Sequence, residues 1–331
     1  MHAAKRSANK DFQIRSYRGG DEKAIIELWN HCLHRDLINL EVFERKVLLD
    51  PNFDPQGCLV AEKNGEIIGF ILALVRKFPM YDTGLEENKG WITAFFVHPE
   101  NRGMEIGSTL LEKALSFLHS HGRKEVWFSS YTPNYFNPGI DVDAYPEGVR
   151  FLEEHGFEKV DLALAMKGCL WPDFKVPNEV RRIEEQLRSD GISVQFLQTK
   201  YLYSFLCFLL ENFGWEWYRH PLEMLQRGCD KDQILIAVKD EKEIVGYCQY
   251  FDGDGYDWEK HGEHFGPFGV RENMRGKGIG TLLLFKCLET MRKKGIHHVF
   301  LLWTDERASK LYRKAGLKVA RRYAIMKKSL I

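Results

Sequence analysis

Residues Val270-Arg271-Glu272-Asn273-Met274-Arg275-Gly276-Lys277-Gly278-Ile279-Gly280-Thr281 carry the most specific chemistry in this chain. The stretch follows an apolar, strand-like run and opens an amphipathic helix. Glycine tolerates the dihedrals of a tight turn and puts no side chain in the way, so several backbone N–H groups can converge on one ligand. The helix N-terminus behind it adds unpaired donors and the positive end of a dipole. That chemistry suits a phosphate, and more specifically a diphosphate. A Walker A loop is excluded, because Gly280 is followed by Thr281 and leucines rather than by Lys-Ser/Thr. A dinucleotide fingerprint is a poor fit, because Gly276, Gly278 and Gly280 are spaced Gly-x-Gly-x-Gly. The pattern Arg/Gln-x-x-Gly-x-Gly/Ala is met at every position by Arg275, Gly278 and Gly280.

That pattern resembles the acetyl-CoA diphosphate loop of the GNAT superfamily of N-acetyltransferases. Thr304–Leu317 is similar to the family's second signature, a strand end followed by a helix carrying Ala308 and Tyr312; Asp305 departs from the asparagine usual there. Ile234–Lys239 and Glu243–Tyr250 read as the hairpin before the family's central strand. The resemblance covers roughly residues 192–331 and implies an acetyl-CoA-dependent N-acetyltransferase acting by direct attack in a ternary complex. It implies that the N–H groups of about Gly276–Gly280, with Ile279 and Thr281 opening the helix, hold the diphosphate, and that Arg275 and Lys277 add charge. It places Phe268, Gly269 and Val270 along the pantetheine arm, one of their N–H groups polarising the thioester carbonyl, and puts Asp305 and Ala308 on the cofactor side. Tyr312 takes the position of the general acid to the CoA sulfur. Glu263 and His264 stand where the family often has a base; strand alternation points them to opposite faces, so at most one serves. Glu263 is favoured, while His264 has the ordinary pKa nearer the working pH.

The acceptor is expected to be the primary amine of a small, cationic molecule. Phe251–Glu259 is an acidic, aromatic loop between the two strands that flank the family's acceptor cleft, and Phe213–Tyr218 lies in the helical region that also lines it. Carboxylates and ring faces attract an ammonium group, which singles out Trp215, Trp217, Tyr250 and Asp252. A second function class, a non-catalytic acyl-CoA-binding sensor or partner-binding protein, would need the loop but not Tyr312 or a base. A nucleotide-dependent kinase would need the Walker lysine.

The elements that must position these residues occur twice. Glu66-Ile67-Ile68-Gly69-Phe70 parallels Glu243-Ile244-Val245-Gly246-Tyr247, Asn101–Gly107 parallels the glycine loop, and Val149–Phe157 parallels Ser309–Leu317, at separations of 160–177 residues. A period that long is a duplicated domain rather than a solenoid repeat. Each half reads strand, helices, two strands, a central strand, helix, strand, helix, strand. This predicts an α/β (α+β) fold: tandem GNAT folds, each a mixed, mostly antiparallel sheet flanked by helices. The expected divisions are a degenerate domain over 1–172, a linker and helix over 173–191, with Glu179–Ser189 helical, and a catalytic domain over 192–331. Degeneracy is read from Glu105 in place of Gly278 and Leu152 in place of Tyr312. The first half also carries a long aromatic and Pro/Gly loop, Ser129–Asp141.

Length and composition agree with two globular domains: 331 residues, 44% hydrophobic and net charge zero, which gives no bulk attraction to nucleic acid or membrane. The halves divide that charge at about −5 before Leu170 and about +5 after it. Seven cysteines show no Cys-x-x-Cys or zinc spacing, which points to reduced thiols and a cytoplasmic location, and no metal is expected. Met1–Lys10 has no apolar core of a leader, and the Tyr201–Leu210 run is too short to span a bilayer.

Overall fold

A computed structural model describes residues 11–251 and 263–330. It has the expected fold class, mixed α/β with mostly antiparallel sheets flanked by helices. The chain forms two compact units. The first runs to Ala163 and resumes from Tyr323; the second is Leu164–Arg322.

The first unit contains β1 (Gln13–Ser16), α1 (Glu22–Cys32), α2 (Leu40–Phe43), β2 (Cys58–Lys63), β3 (Glu66–Leu74), β4 (Lys89–Val97), α3 (Ile106–Ser120), β5 (Glu125–Phe128), β6 (Ile140–Asp141), α4 (Pro146–Glu154) and the start of β7 (Glu158–Cys169). Strands β1 to β4 pair in sequence order, all antiparallel, and β4 pairs with β5 in parallel. Helix α3 turns Ile106, Leu110, Leu111, Ala114, Phe117 and Leu118 onto one face of this sheet. The other face packs on α1 through Ile25, Leu28 and Trp29. The long loop after β5 is pinned inside this unit. Tyr131 is fully buried, with its hydroxyl donating to Asp50 Oδ1 (3.1 Å) and accepting from Asn52 Nδ2 (2.8 Å). Phe136 lies 4.6 Å from the Trp29 ring. These contacts give the loop a structural role.

The second unit takes the end of β7, then α5 (Asn178–Ser189), β8 (Ile192–Phe196), α6 (Leu202–Phe213), α7 (Trp215–Gln226), β9 (Ile234–Lys239), β10 (Glu243–Tyr250), β11 (Glu263–Val270), α8 (Ile279–Lys293), β12 (His298–Thr304), α9 (Glu306–Lys314) and the start of β13 (Lys318–Ser329). The hairpin β9–β10 and helix α5 sit where the spacing of apolar and turn residues places them. The glycine shared by the two related strands has a packing reason. A Cβ on Gly246 would lie 3.0 Å from Leu283 Cδ1, and one on Gly69 3.0 Å from Leu110 Cδ1, so each glycine lets the crossing helix approach its sheet.

The compact units differ from the expected division: residues 164–172 and the expected linker and helix over 173–191, with Val180 and Leu187 in the core, belong to the second unit, and 323–331 to the first. Tyr323–Ser329, the end of β13, pairs with β5 and β6 of the first unit, and Leu164–Cys169, the end of β7, pairs with β12 of the second. Ala324 and Met326 therefore belong to the core around Val126 and Phe128, and Met166 and Leu170 to the core around Val299 and Leu301. Each half is completed by a strand that sequence order assigns to the other.

Candidate functional site

In the second unit, β11 pairs in parallel with β12 at Glu263↔Val299 and His264↔Phe300. Among the described residues no further β11–β12 pair follows, so Phe265–Val270 runs on with one edge toward a gap between the strands. Its other edge is held by β10, with Tyr247 opposite Gly269 and Cys248 opposite Phe268. The open edge leads directly into the glycine loop. There the Arg271 N–H donates to Val245 O (2.9 Å), Glu272–Met274 forms a single helical turn, and Gly276 and Gly278 adopt left-handed φ of 81° and 88°. The first helical bond of α8 is Leu282 N–H to Gly278 O, at 3.0 Å. The N–H groups of Ile279, Gly280 and Thr281 thus precede any intrahelical acceptor and face the loop with the positive end of the helix dipole.

The side chains of this loop divide by role. Arg275 Nε donates to Val270 O (3.1 Å), and in the first unit Arg102 Nε donates to Val97 O (3.2 Å). In both loops the arginine fastens the turn to the end of the preceding strand. Lys277 is exposed, 3.7 Å from Met274 Sδ. A Cβ on Gly278 would stand 2.7 Å from Ile183 Cγ2 of α5, so this glycine has a packing reason beside any ligand reason. A Cβ on Gly276 would meet nothing within 4 Å.

The loop of the first unit keeps the same backbone. Gly103 has φ 78°, Glu105 has φ 60°, and Thr109 N–H closes on Glu105 O at 2.9 Å as Leu282 closes on Gly278. Glu105 accordingly changes the charge of the turn without undoing its shape. Behind it lies a cavity of about 1010 Å³, lined among others by Trp29, Phe95, Phe96, Arg102, Glu105 and Phe151, where β4 runs on beyond its pairing with β5. Leu152, 1% exposed, occupies the place of Tyr312.

On α9, Asp305 is the N-cap, and its Oδ1 accepts the Ala308 N–H at 2.6 Å. Both residues are thus engaged in starting the helix, and an aspartate does this as well as the asparagine it replaces. Tyr312 is 7% exposed, with its ring edge-on to Phe265 (5.9 Å) and Phe268 (6.0 Å) on the open part of β11. Burial raises its hydroxyl pKa well above 10, with smaller contributions from Cys248 and Asp305, so it remains a proton donor throughout the neutral range.

The face of β11 and β10 toward α6 and α7 carries the other candidates. His264 is stacked between Phe251 (5.2 Å) and Phe300 (5.3 Å) at the last paired position, where the strands part. The side chain of Glu263 and all of Asp252 lie outside the described residues. Trp217 stacks on Phe213 at 4.5 Å and approaches Tyr247 at 6.0 Å, whereas Trp215 packs edge-on to Tyr218. Tyr250 is fully buried on the opposite face of β10, in the core under α8, with Lys294 5.5 Å from its ring centre.

Two residues of this face are missed by sequence reasoning. His220 on α7 stands edge-on to Phe251 (6.2 Å), with Nε2 3.5 Å from Glu216 Oε1. The signal available was its place one turn after Trp217. The other is Gln249, considered below. Burial, then Arg219 and His264, push the His220 pKa down to about 3, so it keeps a free lone pair at neutral pH. The folded state thus takes up this proton less readily than the unfolded chain. The contribution of His220 to stability is complete above about pH 6.5 and is lost as the pH drops from about 6.5 toward 3. His220→Gln is expected to flatten that part of the profile, measured by urea unfolding across the acid range; an unchanged slope would exclude His220 as its source.

The family model described as "Acetyltransferase (GNAT) family" matches residues 21–138 and 202–317. A Pectobacterium atrosepticum protein named as an acetyltransferase is 34% identical over 112 residues, which is 33% of this chain and 70% of that protein. Among solved structures, a GCN5-related glucosamine N-acetyltransferase region of a fungal multi-domain GH3 β-N-acetylglucosaminidase superposes with a TM-score of 0.80 at 18% identity, over 97% of this chain and 38% of that one. A tandem GNAT protein from the clavulanic acid biosynthesis pathway superposes with a TM-score of 0.62 at 16% identity, over 96% of this chain and 98% of its own. At those identities the two structures speak to the fold.

Proposed function

The chain belongs to the acetyltransferase (GNAT) family and is an acyltransferase, and on that premise we propose that its second half moves an acetyl group from acetyl-CoA to the primary amine of a small acceptor, by direct attack in a ternary complex. The observation that carries the assignment to this half is Tyr312, which stands against the open edge of β11 where the first half has Leu152. That edge begins at His264 and ends at the first N–H groups of α8.

Acetyl-CoA, when bound, supplies a thioester carbonyl and a thiolate leaving group. The N–H groups of Gly276 to Thr281 would hold its diphosphate, Phe268–Val270 would align the arm, and an N–H on that edge would face the carbonyl oxygen. A preorganised donor of this kind contributes about 10²–10³ in rate. His264, at the parting of the strands, or Glu263 beside it, takes the proton from the acceptor's ammonium so that the neutral amine attacks; His220 keeps a neutral imidazole on the same face. Tyr312 holds the proton that neutralises the departing sulfur. The first half keeps the loop backbone and a cavity but has Leu152 in place of the acid, and we assign it no transfer step. Its cavity also keeps open a binding role without chemistry. Cytoplasmic location and a cationic acceptor complete the proposal; among the described residues no helix is long and apolar enough to cross a membrane.

The test uses matched glycines in the full chain. Gly276 and Gly103 share a left-handed φ and open space, so either alanine substitution costs the fold about 1–2 kcal/mol. Gly276→Ala is expected to weaken acetyl-CoA binding at least about 10-fold, or ~1.4 kcal/mol, by titration calorimetry, and to depress CoA release with an amine panel. Gly103→Ala is expected to leave both unchanged. Equal effects from the two variants would remove the assignment of the cofactor to the second half.

A further inference from the structure

On the face of β10 toward α6 and α7, side chains alternate so that Tyr247, Gln249 and Phe251 form one row. Tyr247 and Gln249 lie opposite Ile236 and Ile234 of β9, in the aromatic cluster with Phe205, Phe208 and Phe213. At the end of the row Phe251 meets His264 and His220. Both Tyr247 and Gln249 are 0% exposed, and among the described residues neither the Tyr247 hydroxyl nor either amide atom of Gln249 has a hydrogen-bond partner. An unmet amide in such a place carries the whole cost of its desolvation.

The first half supplies an internal control. The matching strand has Phe70 and Leu72 where the second has Tyr247 and Gln249, both fully buried in the core against α1. The fold therefore accepts purely apolar side chains at these two positions. The half that carries Tyr312 has polar groups there and leaves them unmet.

We propose that Gln249 reads the acceptor: its amide gives one hydrogen bond to, and takes one from, a neutral hydroxyl or amide group carried beside the reacting amine, with the Tyr247 hydroxyl as a second contact. This rests on the acetyl-transfer reading and narrows its acceptor to amines bearing such a group. An acceptor that satisfies the amide removes its cost on binding, whereas an alkyl analogue leaves it buried and unmet. Sites built this way reject the analogue strongly.

The experiment measures kcat/KM in the full chain for two matched pairs: 2-aminocyclohexanol against cyclohexylamine, which tests a hydroxyl, and β-alaninamide against isopentylamine, which tests an amide. The wild-type protein is expected to prefer the polar member of at least one pair by about 10–10²-fold. Gln249→Leu, which installs the first half's residue, is expected to erase that preference, to leave acetyl-CoA affinity unchanged, and to raise the melting temperature of the free protein. Equal rates within both pairs, a preference surviving in Gln249→Leu, or a lowered melting temperature would each overturn the proposal while leaving acetyl transfer intact. Acetyl-CoA binding with no transfer to any of the four amines would overturn the transfer reading and this one together.

Discussion

Tyr312→Phe is expected to lower kcat by about 10²–10³ while leaving the affinity for acetyl-CoA within about 2-fold of wild type, since general acid steps contribute about 10²–10⁴. The ring of Tyr312 packs edge-on against Phe265 and Phe268, contacts that phenylalanine keeps, so the substitution removes the proton and little of the packing. Burial lifts the hydroxyl pKa, which makes its ionisation irrelevant at neutral pH and sets the sign of the pH effect. Wild-type kcat should not decline from loss of this proton anywhere in the neutral range. In the variant the leaving thiolate must find its proton in water, and the deficit should shrink for acyl donors with more acidic thiols. Steady-state kinetics with acetyl-CoA and an amine panel measure this. A variant that turns over like the wild type would return Tyr312 to a packing role and leave the departing sulfur to take its proton from another donor.

Removing residues 323–331 is expected to unfold the first unit and spare the second. The deletion removes Tyr323, Ala324, Ile325 and Met326, all buried, and with Ala324 and Met326 a part of the first core. It also removes the four β5 pairs from Met326↔Phe128 to Ser329↔Glu125, the bond from Tyr323 Oη to Asn137 Oδ1 (3.1 Å) and the Lys327–Glu125 ion pair (2.5 Å). Burying one large apolar side chain is worth about 1.5–3 kcal/mol, and a domain's whole stability is about 5–15 kcal/mol. The lost strand alone can exhaust that margin. Unit Leu164–Arg322 keeps its own strands, so binding of acetyl-CoA should persist in the truncated chain while calorimetry loses one transition and limited proteolysis degrades the region up to Ala163. A truncated chain that melts like the wild type would show that the strand is dispensable. The same pairing explains why neither half as sequence order divides the chain, 1–172 or 192–331, carries all the strands of its own sheet.

Much of the second half was legible because its signals are local. Hairpin β9–β10, the helix over Asn178–Ser189 and the glycine turn follow from the spacing of apolar, turn and capping residues within a few positions. The two loops even share their left-handed dihedrals, although one places Glu105 where the other places Gly278. Of the candidate site, the sequence gives positions and the structure gives surroundings. His264 and Tyr312 stand beside the open strand, Asp305 and Ala308 start α9 through a cap, and Tyr250 faces the α8 core. Gln249 and His220 were not legible. A glutamine in an apolar strand becomes informative only when its surroundings lack a partner for it, and a histidine on an amphipathic helix only when its neighbours prevent its protonation.

By itself the sequence determined the duplication, the fold class of each half, the glycine turn of the second loop and the contrast of Gly278 with Glu105 and Tyr312 with Leu152. These rest on dihedral preference and periodicity, which act over a few residues. Only the tertiary structure decided which sheet each final strand completes, that Ile183 closes over Gly278, and which side chains of β10 face α6 and α7. The last strands β7 and β13 each hold one short apolar stretch, residues 162–166 and 323–326, beside charged residues. The choice between them is made by hydrogen-bond register and by side chains far away along the chain, and no local pattern encodes it.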